Sequence, residues 1–194
     1  MEIPFCIIGL GNPGKRYENT RHNVGKKLVK WLSCRWGIPI NKREKMHHFG
    51  KGKRSGKEIY LLLPSLFMNE SGKVVQGIIH DFGLSLESLL VIHDDADIPL
   101  GKIKVVYSSS SGGHKGVASI IEYLGSQKFS RLKIGIGREE NKDLTDYVLE
   151  EFQEEEKEVI GRIFSLCEEA IQVWISEGID KAMSLYNNRR VLLC

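Results

Sequence analysis

Hydrophobic residues in this 194-residue chain alternate between short apolar runs, typical of strands, and longer stretches with helical spacing. Strands are predicted at Pro4–Leu10, His48–Arg54, Glu58–Leu63, Leu89–His93, Lys102–Tyr107 and Arg131–Gly137. Helices are predicted at Val24–Trp36, Asn69–Phe82, from after Ser108–Gly113 to near Gly125, Glu154–Ile175 and Ile179–Asn187. This alternation predicts a single α/β domain over residues 1–194, a three-layer sandwich with a mixed, mostly parallel sheet flanked by helices.

Composition indicates the cellular compartment in which the protein is expected. Hydrophobic residues make up 41% and charged residues 27%, and no apolar run approaches the ~20 residues of a membrane helix. We expect no signal peptide at the N-terminus. The four cysteines lack C-x-x-C spacing, and Cys6 and Cys167 lie in apolar patterns, so buried thiols are expected. These features together predict a cytoplasmic protein.

Charge is distributed unevenly, although the formal net charge is only +3. Residues 1–60 contain 14 Lys and Arg against four acidic residues, whereas residues 139–160 contain ten acidic residues against two lysines. The basic half either holds a polyanion or is a solvated basic surface, and charge alone does not separate the two readings.

The loop Gly9–Gly14 follows the first predicted strand and matches the dinucleotide pattern G-x-G-x-x-G. That pattern needs an acidic residue about 20 positions later, but none lies between Glu18 and Glu44. Pro13 also removes a backbone N–H from the loop. The dinucleotide interpretation therefore fails. Asn12 remains as an amide at the carboxyl end of a strand, where α/β sheets place their sites, and it can both donate to and accept from a peptide group.

His22 lies just before the first predicted helix, where the helix dipole favours the neutral imidazole that a general base requires. Such a base needs an acidic partner, and Asp94, Asp95 and Asp97 are candidates from another strand end. Three close acids also suit a divalent cation, but no second ligand cluster accompanies them, so metal binding is the weaker alternative.

Two further loops carry candidate binding groups. Phe67, Met68 and Asn69 precede a helix and suit a nucleoside or a peptide end, although they also fit a core and an N-cap. The loop Ser108–Gly113 opens a helix whose N–H groups can receive an anion, or it is a plain surface loop. Since no Ser or Cys lies in a nucleophile-elbow context, the sequence favours a water molecule activated by His22.

These motifs, and their order along the chain, resemble those of the bacterial-type peptidyl-tRNA hydrolases. The resemblance covers nearly the whole chain and includes Tyr17 together with six blocks in the family's order. These blocks are Ile8–Gly14, Thr20–Gly25, Phe67–Gly72, His93–Gly101, Gly112–Gly116 and Arg131–Gly137. It implies an esterase that releases the peptide from the 3′ end of tRNA, acts as a monomer and needs no cofactor or metal.

The resemblance also implies catalytic roles. His22 matches the base that activates water, Asp94 the acid that orients this base, and Asn12 the residue that distinguishes a blocked peptide amide from a free α-amine. The segment Asp143–Phe152 resembles a mobile helix beside the cleft.

Binding positions follow from the same resemblance. The positions that match contacts to the tRNA end and the peptide are Tyr17, Phe67, Met68 and Asn69, and those that match contacts to tRNA phosphates are Lys104 and Lys133.

Two positions depart from the family pattern. Lys115 stands where the family usually has Asn, so its ammonium is expected to contact a ribose or phosphate instead. Val106 replaces a usually basic residue, which places the phosphate contacts on Lys104 and Lys133. The alternative function is that of a non-hydrolytic RNA-binding relative, of the kind recruited to splicing. The enzyme is favoured by the retained residues Asn12, His22, Asn69 and Asp94.

Overall fold

A computed structural model describes residues 3–191 and places one seven-stranded sheet at their centre. The strands are β1 (Phe5–Gly9), β2 (Lys42–Arg43), β3 (His47–Arg54), β4 (Lys57–Pro64), β5 (Leu89–Asp95), β6 (Ile103–Tyr107) and β7 (Ser130–Gly135). The α-helices are α1 (Val24–Trp36), α2 (Ser71–Phe82), α3 (Lys115–Leu124), α4 (Leu144–Val148), α5 (Glu154–Glu177) and α6 (Ile179–Tyr186). The predicted strands and helices are confirmed, with ends that differ by a few residues, whereas the hydrophobic pattern missed β2 and α4. The family resemblance placed a helix in Asp143–Phe152, and α4 lies within that segment.

The sheet order is β2-β3-β4-β1-β5-β7-β6. Its centre, β4-β1-β5-β7, is parallel, while β3 and β6 run antiparallel to their neighbours. The carboxyl ends of the central strands therefore meet at one edge, to which the predicted site residues after β1, β4 and β5 belong.

Apolar side chains fill both faces of the sheet. One face packs against α1, α5 and α6, and the other packs against α2 and α3. The predicted three-layer α/β fold, with a mixed and mostly parallel sheet, is thereby confirmed.

Glycines allow α1 to pack directly on the strand ends. A Cβ added to Gly25 would lie 2.3 Å from the carbonyl oxygen of Ile92, and one added to Gly9 would lie 2.4 Å from the oxygen of Gly25. Leu10 N–H donates to Ile92 O at 3.0 Å, which ties the loop after β1 to β5. The glycine pattern of this loop therefore serves close packing and brings the start of α1 over the end of β5.

Within residues 3–191, no helix is long and apolar enough to cross a membrane. Cys6 and Cys167 are buried free thiols as predicted, Cys34 is an exposed free thiol, and Cys194 lies outside the described residues.

Candidate active site

A cleft of about 450 Å³ opens at the carboxyl edge of the sheet. Loops after β1, β4 and β5 and the starts of α3 and α4 form its walls. The predicted site residues that line the cleft are Asn12, His22, Phe67, Met68, Asn69, Asp94 and Lys115. Tyr17, Lys104 and Lys133 do not line it.

His22 and Asp94 are in direct contact, although 72 residues separate them in the chain. His22 lies in a 3₁₀ turn, Arg21–Asn23, that leads into α1, and Asp94 is near the end of β5. The Nδ1 atom of His22 lies 2.9 Å from Asp94 Oδ1 and 3.0 Å from Oδ2. Because a carboxylate only accepts, Nδ1 carries a proton and donates it. In the neutral tautomer with this hydrogen bond, the lone pair is on Nε2, which can accept a proton.

His114 is a site residue that the sequence reasoning missed. Its Nε2 atom lies 3.0 Å from the same Asp94 Oδ1, and its Nδ1 accepts from Val117 N–H at 3.2 Å. These two contacts make Nε2 the protonated nitrogen and hold the ring at the N-cap of α3. One feature of the sequence could have indicated His114: like His22, it comes directly before a helix, in one of the loops where site residues were expected.

Asp94 is a buried anion with two histidine donors. Burial raises the pKa of its carboxyl, but the charges and hydrogen bonds of His22 and His114 outweigh burial and hold that pKa well below its usual value. Asp94 is therefore ionised at neutral pH and can stabilise a positive charge on His22.

His93 lies behind this pair. Its Nδ1 donates to the carbonyl of Asp94 at 2.6 Å, and its ring meets that of His114 edge-on at 4.6 Å. Burial, reinforced by His114, lowers the pKa of His93 far below its usual value, so this ring stays neutral. His93 therefore supports the position of its neighbours without adding a charge.

Asn12 is held in one orientation. Its backbone N–H donates to Asn23 Oδ1 at 2.8 Å, and Asn23 Nδ2 donates back to the Asn12 carbonyl at 2.9 Å. The side-chain Oδ1 of Asn12 accepts from Met68 N–H at 2.8 Å. Since that contact occupies the oxygen, the amide nitrogen is the group that Asn12 offers to a ligand.

Aromatic and apolar groups form one rim of the cleft. Phe67 is 50% exposed and meets Tyr17 edge-on, with ring centroids 6.2 Å apart. Met68 is buried beneath this rim. Asn69 lies in the 3₁₀ turn Met68–Glu70, before the N-cap of α2, and so does not act as the cap. An exposed ring beside an amide suits a flat ligand such as a nucleoside.

Lys115 and residues of α4 line the same cleft. Lys115 is the first residue of α3, and α4 contributes Leu144, Thr145 and Val148. Hydrogen bonds from Thr145 lower the pKa of Asp143, and Lys115 lowers it further through its charge. An ammonium thus stands at the cleft where the family pattern has an amide.

Lys104 and Lys133 lie beside the cleft on adjacent strands. They are paired in register between β6 and β7, so their side chains share one face. Lys104 is exposed, but Lys133 is only 12% exposed and forms an ion pair of 2.8 Å with Asp95. Of the two, Lys104 is the accessible cation.

Among residues 3–191, the group of His22, Asp94 and His114 has donor atoms within 4.8 Å of one another, a spacing that could hold a metal ion. Hydrogen bonds already engage Nδ1 of His22, Oδ1 of Asp94 and Nε2 of His114. The same contacts fit a site for proton transfer.

An oriented histidine, a buried carboxylate and a fixed amide lie together in one cleft of this α/β sandwich, a combination of groups that is typical of α/β enzymes with general acid–base chemistry. The sequence model described as peptidyl-tRNA hydrolase matches residues 6–192. Among curated relatives, the peptidyl-tRNA hydrolase of Carboxydothermus hydrogenoformans is 46% identical over 94% of this chain and 98% of its own length. That of Thermodesulfovibrio yellowstonii is 44% identical over 94% and 98%.

Solved structures agree with the sequence relatives. A peptidyl-tRNA hydrolase crystallised with N-propanol superposes with a TM-score of 0.92 at 28% identity, over 99% of this chain and 100% of the other. The enzyme from Acinetobacter baumannii gives a TM-score of 0.91 at 29% identity, over 98% of both chains. The chain belongs to the peptidyl-tRNA hydrolase family, which confirms the resemblance.

Proposed function

We propose that His22 activates the water with which this chain, as a peptidyl-tRNA hydrolase, cleaves the ester between a peptide and the 3′ end of tRNA. The observation that carries the proposal is the contact between His22 Nδ1 and the buried carboxylate of Asp94, at 2.9 Å. It makes Nε2 of His22 the base within the cleft.

In this mechanism Nε2 accepts a proton from water as the water oxygen attacks the ester carbonyl carbon. The C–O bond to the ribose then breaks, and the imidazolium returns the proton to the departing ribose oxygen. Asp94 stabilises the positive charge that His22 carries between these two steps, and His114 keeps Asp94 in place through their shared hydrogen bond of 3.0 Å.

Selectivity for peptidyl over aminoacyl esters rests on Asn12 in this proposal. Its free amide nitrogen donates to the carbonyl that blocks the α-nitrogen of a peptidyl group. An unblocked α-ammonium is itself a donor and a cation, so it gains nothing from that group.

The tRNA end is held by aromatic and basic groups around the cleft. Phe67 and Tyr17 contact the terminal nucleotide or the peptide together with Met68 and Asn69. Lys104, Lys133 and Lys115 contact phosphate or ribose, with Lys133 exchanging its partner Asp95 for a phosphate. We further propose that the protein is one domain, acts as a monomer in the cytoplasm and needs neither cofactor nor metal.

The test measures peptide release from N-acetyl-aminoacyl-tRNA beside release from unblocked aminoacyl-tRNA. We expect selective release from the blocked substrate. His22→Ala should lower kcat on the order of 10²–10⁴-fold while the affinity for tRNA persists. His80→Ala is the matched control, because the His80 side chain is 88% exposed on α2.

Near-normal activity of His22→Ala would refute the assignment of the base. Binding of tRNA without release of either group would favour the alternative, a non-hydrolytic RNA-binding relative.

A further inference from the structure

A second cavity, of about 240 Å³, shares Asn12 with the active-site cleft. We call it the lysine cavity. Its walls contain four ammonium groups and one carboxylate, together with Asn12, Gly14 and Asn23. The charged residues are Lys15, Glu18, Lys26, Lys27 and Lys30. So many cations around so small a volume create a strongly positive potential immediately beside the residue proposed to read the peptide.

Most of this positive charge is not neutralised by the protein. Lys30 forms an ion pair of 2.8 Å with Glu18 at the exposed margin of the cavity. Lys26 donates to the carbonyl of Pro64 at 3.0 Å and Lys27 to that of Asn19 at 3.2 Å. Within residues 3–191, neither Lys26 nor Lys27 has a carboxylate within ion-pair distance. Both therefore retain charge and N–H groups for an incoming anion.

Lys26 is the innermost of these cations. Its side chain is half-buried, and burial, reinforced by the charge of Lys30, lowers its pKa to about 8. The ammonium still predominates at neutral pH, but without a counter-ion it is poorly solvated. An anion in the lysine cavity would relieve that penalty.

The cavity is rigidly joined to the active site. Lys26, Lys27 and Lys30 lie on consecutive turns of α1, while Lys15 begins a 3₁₀ turn after Gly14. The two hydrogen bonds between Asn23 and the backbone of Asn12, at 2.8 and 2.9 Å, connect this wall to the cleft. A ligand group that passes Asn12 therefore meets the lysines in a fixed arrangement.

The position in the sheet indicates which part of the substrate reaches the cavity. Lys104 lies on β6, at one edge of the sheet, whereas α1 packs on β1, β4 and β5 and Lys26 contacts the end of β4. If the tRNA phosphates lie at the β6 side, the bound peptide extends from the ester in the other direction, past Asn12 and towards the lysine cavity. The anions that a peptide carries are the carboxylates of Asp and Glu.

We propose that the lysine cavity is a peptide subsite for acidic side chains upstream of the esterified residue, so that this enzyme prefers peptidyl-tRNA with acidic peptides. The proposal rests on the proposed function, since it assumes that Asn12 faces the peptide. It makes Lys26 and Lys27 determinants of specificity among peptides, apart from the catalytic groups.

The test compares two substrates on the same tRNA, N-acetyl-Glu-Glu-Phe-tRNA and N-acetyl-Gln-Gln-Phe-tRNA, which differ in charge but hardly in shape. We expect kcat/KM of the unaltered enzyme to be about five- to tenfold higher for the glutamyl substrate, as one or two charge-assisted contacts allow. The double variant Lys26→Gln, Lys27→Gln should bring this ratio close to one, chiefly through a higher KM for the glutamyl substrate.

Two further variants separate the cavity from general effects of charge and folding. Lys128→Gln removes the same charge from an exposed site at the opposite end of the sheet and should keep the full ratio. Lys27→Gln alone changes a partly exposed side chain, which makes misfolding an inadequate explanation, and should lower the ratio part of the way.

Equal kcat/KM for both substrates in the unaltered enzyme would overturn the subsite while leaving the hydrolase intact. Equal losses on both substrates, with weaker binding of deacylated tRNA, would overturn it in favour of an RNA phosphate in the cavity. Failure of the proposed function has a different signature, because the enzyme would then release neither peptide.

Discussion

The side-chain oxygen of Asn12 accepts a hydrogen bond of 2.8 Å from the backbone N–H of Met68. Met68 is buried and lies in the turn before α2, so this contact couples the loop after β1 to the loop after β4. It also decides which end of the Asn12 amide faces a substrate, because a backbone N–H can only donate.

Asn12→Asp is therefore expected to change selectivity while preserving the fold. The new carboxylate keeps an acceptor for Met68 N–H but replaces the amide donor with an anion, which attracts a free α-ammonium. The ratio of kcat/KM for N-acetyl-aminoacyl-tRNA to kcat/KM for aminoacyl-tRNA should fall at least about tenfold. This is the change in the ratio that one hydrogen bond to a charged group produces. Asn12→Ala, which removes both groups, should lower the ratio less, and an unchanged ratio in both variants would contradict the role of Asn12.

Asp94→Asn should lower kcat by about 10–10³-fold, because the amide cannot stabilise the imidazolium and can orient His22 in the wrong tautomer. Asp94 is ionised at neutral pH, so the substitution removes a real charge. The measurement is single-turnover release of the acetylated amino acid. Asp81→Asn is a suitable control, since the Asp81 side chain is 61% exposed on α2 and does not line the cleft. Equal effects of the two substitutions would exclude a special role for Asp94.

Lys115→Asn restores the usual family residue and should weaken tRNA binding at low salt. The loss of one phosphate contact should reduce the slope of log K against log salt concentration by about 0.7–0.9. Fluorescence titration with deacylated tRNA at several salt concentrations gives that slope. Lys128→Gln, far from the cleft, should leave it unaltered, and an unaltered slope for Lys115→Asn would show that this ammonium does not contact the backbone.

Lys26→Met should alter how stability depends on pH. The pKa of Lys26 is lowered to about 8 in the folded protein, mainly by burial and then by Lys30, and Glu18 opposes this. Between pH 8 and about 10.4, the usual lysine pKa, the unfolded chain holds a proton that the folded protein has released. The unfolding free energy of the unaltered protein, relative to Lys26→Met, should therefore rise with pH across that window.

The measurement is urea denaturation of both proteins at pH 7, 8.5 and 10. The slope of their difference is bounded by about 1.4 kcal/mol per pH unit, the limit for one proton. Taking the difference cancels the opposite effect of the buried thiols Cys6 and Cys167, whose pKa values burial raises. A flat or falling difference would show that Lys26 keeps an ordinary pKa.

Periodicity was sufficient to locate the main strands and helices, because burial of an apolar face imposes a period of two or 3.6 on the sequence itself. The missed elements are those with little periodicity to read. β2 has two exposed residues, and α4 has five residues, too few to show a period, so that only the family resemblance indicated this helix.

The chain by itself determined the chemical groups of the site and their positions at strand ends, where Asn12, His22 and Asp94 were expected. Residue types and spacing alone left three neighbouring acids as candidate partners of His22, and only the family resemblance selected Asp94. In the folded protein Asp95 pairs with Lys133, Asp97 with Arg138, and Asp94 with His22 and His114.

Only the tertiary structure decided that pairing, because it depends on contacts between groups 72 and 20 residues apart in the chain. The close approach of Gly25 to Ile92 sets α1 on β5 and turns His22 towards Asp94. The register of β5 with β7 sends the next acid, Asp95, towards a lysine instead. The local sequence does not indicate that His22 lies beside Asp94 or that Asp95 lies beside Lys133. Side-chain packing between the layers of the fold specifies both contacts.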